Sequence, residues 1–169
     1  RARPLFDVPM PVDPATLGRA RSFVSGLKAD GGTEMREALT LALRPPKVEG
    51  FVRQVVFLTD GAVGNENELF ALIRERLDDR RLFTVGIGSA PNSHFMTKAA
   101  QFGRGTFTYI GDTREVHEKM AALFRKLEAP EFMELSGGYI PADRTVDARR
   151  MLRLCEAVIE DDLTPLQRR

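Results

Sequence analysis

The sequence predicts an α/β protein built on a doubly wound parallel sheet, and three observations predict it. The run Arg53-Gln-Val-Val-Phe-Leu-Thr-Asp-Gly61 carries four apolar residues, Val55 to Leu58, without alternation. That is how a strand reads when both faces of a parallel sheet are covered. Similar runs recur at Leu82 to Gly88 and Gly105 to Gly111, and each of the three is followed by apolar residues at helical spacing. Strands alternating with helices imply parallel pairing through crossover connections.

The elements follow in order. Pro4 to Val8 reads as a short edge strand, ended by Pro9 and Pro11. Asp13-Pro14 supplies an N-cap with proline at the first helical position. Ala20, Phe23, Val24 and Leu27 then share a face, which predicts a helix over 14–28. A glycine-rich turn, Ala29 to Thr33, leads into a helix over Glu34 to Leu43, stopped by Pro45-Pro46. The strand over 53–59 comes next and reads as the central one.

After Asp60 the pattern repeats twice. Asn65 with Glu68 resembles a capping box, and Leu69, Phe70, Ile73 and Leu77 form the apolar stripe of a helix ending in Asp78-Asp-Arg-Arg81. The strand 82–88 is followed by a helix over 92–103 with Phe95 and Met96 as core. The strand 105–111 precedes a helix that Asp112 and Glu115 cap, with Val116, Met120, Leu123, Phe124 and Leu127 on its buried face. Beyond Pro130 the rhythm breaks: Glu131 to Ile140, with Gly137-Gly138, suggests a hairpin or extended segment, and Arg144 to Glu160 a further helix. This divides the chain into a domain over 1–128 and an extension over 129–169.

Composition narrows the function classes. The 169 residues carry 25 basic and 24 acidic side chains, a formal charge of +1, with 43% hydrophobic residues. A nucleic-acid binder or a disordered chain would show a stronger bias. The single cysteine, Cys155, excludes an intrachain disulfide and a cysteine-rich metal site. No apolar run approaches the roughly 18 to 20 residues of a membrane span. The chain begins at Arg1, which reads as a piece of a longer protein.

Asp60 is the leading candidate site residue, since ligands of open α/β sheets bind at the carboxyl ends of the strands. The alternative is that Asp60-Gly61 only starts a strand-to-helix turn. Four segments together carry a resemblance: the turn Asp30-Gly-Gly-Thr33-Glu, the strand end Phe57-Leu-Thr-Asp60-Gly61, the strand end Val85-Gly-Ile-Gly88 and Tyr109-Ile-Gly111. In this order and spacing they resemble a von Willebrand factor A domain over residues 1–128. The run Gln54 to Asn67 is more particularly similar to the A domains of inter-alpha-trypsin-inhibitor heavy chains and of bacterial surface proteins, including sortase-target proteins.

The resemblance implies a Rossmann-like fold and a metal-ion-dependent adhesion site at the carboxyl edge of the sheet. In the family that site takes oxygen ligands from an Asp-x-Ser-x-Ser motif, a threonine and an aspartate. Thr33 matches the threonine and Asp60 the aspartate. Mg²⁺, or Mn²⁺ or Ca²⁺ in its place, suits hydroxyl and carboxylate oxygens and leaves a position for an acidic side chain of a protein ligand. The sequence holds no Asp-x-Ser-x-Ser, so the domain reads as truncated at its N-terminus, with Thr33 and Asp60 a partial site that binds metal weakly or not at all. The family's first strand lies beside the Asp60 strand, so an exposed apolar edge is expected. Residues 132–140, the Leu5 to Val8 strand, or a second chain in a homo-oligomer or strand exchange could cover it.

The implied function is non-enzymatic: a protein-interaction or adhesion module of an extracytoplasmic or cell-surface parent protein. The alternative is a receiver-like or other small doubly wound enzyme using Asp60 as acceptor or metal ligand. A receiver's acidic pair after the first strand and lysine after the fifth cannot be placed here. Other patterns have plain readings. Gly86-Ile-Gly88-Ser-Ala-Pro91 has proline where a dinucleotide loop needs its third glycine. His94 and His117 stand apart from any partner at zinc-ligand spacing, and Ser89 and Ser93 sit outside a nucleophile elbow. Arg74, Arg76, Arg80 and Arg81, interleaved with acidic residues, read as a solvated helix face.

Overall fold

The computed structural model describes residues 2–27, 34–60, 64–88, 92–129, 134–135 and 138–139. Its order is α1 (Pro14–Ser25), α2 (Met35–Ala42), β1 (Gln54–Thr59), α3 (Glu66–Arg76), β2 (Arg81–Ile87), α4 (Ser93–Phe102), β3 (Phe107–Ile110), a 3-10 turn (Thr113–Glu115) and α5 (Val116–Leu127). A short antiparallel pair, β4 (Glu134–Leu135) with β5 (Gly138–Tyr139), follows. The strands β1, β2 and β3 form a parallel sheet in that order, with Val56 opposite Phe83 and Gly86 opposite Tyr109. The alternation of strand and helix thus produces the α/β parallel sheet it predicts.

Each face of the sheet has its own core. On one side Leu82 joins Leu69, Ile73, Phe95 and Met96 of α3 and α4 and Met35 and Leu39 of α2. On the other, Phe83, Val85 and Ile110 pack against Val116, Met120, Leu123 and Phe124 of α5. Neighbouring strand residues point to opposite faces, so Leu82 and Phe83 serve different cores. Phe95 and Met96 are fully buried. Burying such side chains contributes about 1.5 to 3 kcal/mol each, so these two layers hold the domain together.

Several local expectations change. The central strand among the described residues is β2, buried through Leu82 to Gly86, whereas β1 is only half buried. The reason is its position: β1 pairs with β2 on one side and with no other described strand, and Leu58 is exposed. The expected strand over Pro4 to Val8 does not form. Pro4, Pro9 and Pro11 lack the N–H a strand ladder needs. Residues 2–7 instead lie on α1 and α2, with Arg3 over the Phe23 ring, Arg19 over Phe6, and the Ala2 amide donating to Glu37 at 3.0 Å. Neither this segment nor β4 and β5 covers β1. The helix expected over Arg144 to Glu160 lies outside the described residues.

Helix ends also differ in detail. Asp13 and Thr16 exchange the two bonds of a capping box at α1, and Gly26 caps its other end, so the helix stops at Ser25 instead of continuing to residue 28. Asn65 makes no backbone cap for α3; its amide reaches Glu68 at 3.4 Å. Arg80, expected on a solvated face, is buried, and its guanidinium donates to the carbonyls of Arg76, Leu77 and Pro45. The unsatisfied carbonyls of a helix end attract a cation strongly enough to draw it inward.

Candidate interaction site

Parallel pairing brings the carboxyl ends of β1, β2 and β3 to one edge, together with the amino ends of the helices that follow. Asp60 leaves β1 there. It is exposed and makes no hydrogen bond or ion pair to another described residue. Gly88 leaves β2 with φ of +88°, a conformation that a side chain disfavours, and its amide donates to the Ile110 carbonyl at 2.9 Å. Asp112 leaves β3 and accepts the Arg114 amide at 2.8 Å, capping the 3-10 turn.

Side chains bind these strand ends to one another. The Tyr109 hydroxyl donates to the Gly88 carbonyl at 3.0 Å, joining β3 to the connection after β2. Lys119 of α5 donates to the Tyr109 carbonyl at 2.7 Å and to Glu115 at 2.9 Å, while Glu115 accepts the Gly111 amide at 3.2 Å. Asn92 accepts the Phe95 amide at 3.1 Å as the N-cap of α4, and its amide group donates to Glu66 in the first turn of α3. The helix expected over 92–103 named no cap, and Asn92 supplies it; its partner Glu66 is 26 residues away, and only the fold brings them together.

Glu66, Glu68, Asp112 and Glu115 lie at helix N-termini, which favour negative charge, and Arg36, Arg114 and Lys119 pair with Glu68, Asp112 and Glu115. The Arg114 guanidinium and amide draw the Asp112 carboxyl down to about 2, and Lys119 with the Gly111 amide holds Glu115 below the usual carboxylate range. Both therefore stay ionised at neutral pH. His94 Nδ1 stands 4.0 Å from Glu66 Oε2.

Of the two expected metal ligands, Asp60 stands at this edge and Thr33 lies outside the described residues. Among the described residues no group of three or more His, Cys, Asp or Glu side chains converges as a metal site. The donors on view do not fit a resident Mg²⁺: a cation that keeps an octahedral shell needs more than one exposed carboxylate to displace its water. No helix among the described residues is long and apolar enough to cross a membrane.

Residues 1–109 match the family described as von Willebrand factor type A domain. The chain is similar to a von Willebrand factor A domain-containing protein of Dictyostelium discoideum, 29% identical over 120 residues, covering 70% of this chain and 13% of that protein. It is also similar to von Willebrand factor A domain-containing protein 5B1 of Mus musculus, 25% identical over 130 residues, 76% of this chain and 11% of that one. A mono-ADP-ribosyltransferase of Mus musculus is 30% identical over 108 residues, 63% of this chain and 5% of the transferase. The chain thus spans 13% or less of the length of these relatives.

Proposed function

Since this chain belongs to the von Willebrand factor type A domain family, we propose that it is a protein-interaction module whose binding surface is the carboxyl edge around Asp60. The observation that supports this is the state of Asp60 itself: an exposed carboxylate at the end of a parallel strand, with no described partner to occupy it. Structural carboxylates are held by caps or ion pairs, as Asp112 and Glu115 are here. A carboxylate at this edge that no described residue holds is placed for a ligand. The reading is non-enzymatic.

In the same proposal Thr33 and Asp60 are what this chain carries of a partial metal-ion-dependent adhesion site, too few ligands to hold Mg²⁺ on their own. An extracytoplasmic parent protein belongs to it on the likeness to inter-alpha-trypsin-inhibitor heavy chains. So does association through the open edge of β1, and a light-scattering mass of one chain would remove that part. The test is selection of a random peptide library on the chain with Mg²⁺ supplied, counter-selected on Asp60→Ala. Enrichment of peptides that D60A does not bind is expected. Binders that D60A retains equally would move the interaction surface elsewhere. Calorimetric titration with Mn²⁺ is expected to give no micromolar affinity, and such an affinity would show that two side chains hold the ion unaided.

A further inference from the structure

The connections from Asp60 to Glu66 and from Gly88 to Asn92 share both of their ends. At one end Thr59 of β1 stands opposite Gly86 of β2 in the parallel ladder. At the other, the Asn92 amide group donates to Glu66 Oε1. The orientation of the Asn92 amide is fixed independently: its oxygen accepts the Phe95 amide at the N-cap of α4, so its nitrogen faces Glu66. Glu66 in turn lies in the first turn of α3, where the helix end favours its charge. A charged acceptor makes this one of the stronger hydrogen bonds available to an asparagine.

We infer that Asn92 and Glu66 are a positioning pair that locks the start of α4 to the first turn of α3, and so fixes the described ends Asp60 and Gly88 relative to one another at this edge. A cap alone would need only the Asn92 oxygen. The second bond, to the neighbouring helix on the same face of the sheet, serves no purpose in α4 itself. It does hold the first turn of α3 to the start of α4. The inference rests on the reading of this edge as the interaction surface, but its test uses no ligand.

The test is a swap of the pair read by ¹⁵N relaxation. Asn92→Asp keeps an acceptor for the Phe95 amide, removes the donor, and sets two carboxylates against each other. Order parameters at Asp60, Gly64 and Asn65, and at Gly88, Asn92 and Ser93, are expected to fall together from about 0.85 to below about 0.6. Adding Glu66→Gln restores a donor facing an acceptor at the native net charge, and both groups of amides are expected to recover. Glu66→Ala leaves the cap intact and is expected to loosen both connections, which decides the matter if N92D also disturbs α4 at Ala99 and Ala100. The inference is overturned if E66A loosens only the connection after β1, or if N92D with E66Q is as loose as N92D. Failure of peptide selection would leave these results standing, so the two readings fail separately.

Discussion

The Thr84 hydroxyl, fully buried at the middle of β2, donates to the Met96 carbonyl of α4 at 2.8 Å. This bond ties the central strand to the helix that covers it, within a core that is otherwise apolar. Thr106, just before β3, offers the opposite case: its hydroxyl is buried and finds no partner among the described residues.

The two threonines should therefore respond differently to the same change. Thr84→Val removes a satisfied donor and is expected to cost about 1 kcal/mol. Thr106→Val removes an unsatisfied hydroxyl and is expected to be neutral or stabilising. Guanidinium denaturation of both variants checks this, and an equal loss in both would show that Thr106 is satisfied in solution.

Gly105 allows β2 to approach the end of α4. A Cβ built there would lie 2.2 Å from the Leu82 carbonyl oxygen, which is backbone and cannot swing aside. Gly105→Ala is expected to destabilise by roughly 1 to 3 kcal/mol through forced backbone displacement. Thermal unfolding reads the effect; a midpoint within a degree of the native chain would mean that the strand gives way freely.

At the opposite edge of the sheet Arg53 pairs with Asp78 and Asp79, and Lys47 stands 3.4 Å from Asp79. Burial pushes the Asp79 carboxyl up, but hydrogen bonding and attraction from Arg53 and Lys47 outweigh it and hold the group below its ordinary value of 3.8. A depressed folded value means that this stability is present above pH 3.8 and is lost as pH falls through the folded value. Asp79→Asn is expected to cost about 1 to 3 kcal/mol at pH 7. The difference from the native chain should close in strong acid, and a difference independent of pH would assign the effect to packing.

Much of the fold was legible because periodicity is local. The runs at 54–59 and 81–87 and the stripes at Leu69, Ile73, Val116 and Met120 report their elements directly. Where the reading failed, the deciding force was not local. Arg80 looks like any charged residue after a helix, and only the carbonyls of Arg76, Leu77 and Pro45 around it explain its burial. Residues 4–8 have strand-like side chains, yet Pro4 and the following Pro9 and Pro11 keep the segment out of a ladder, and Phe6 packs under Arg19 instead.

By itself the sequence determined the α/β class, the parallel sheet, the family and the place of Asp60 at a strand's carboxyl end. Each of these follows from residue type and spacing along the chain, which fix backbone conformation and which side faces the core. The tertiary structure alone decided that β2, not β1, is the central strand of the described sheet. It alone joined Glu66 to Asn92 and Tyr109 to Gly88 at the edge. Those relations depend on which strands lie side by side, a matter of long-range packing that no run of neighbouring residues encodes.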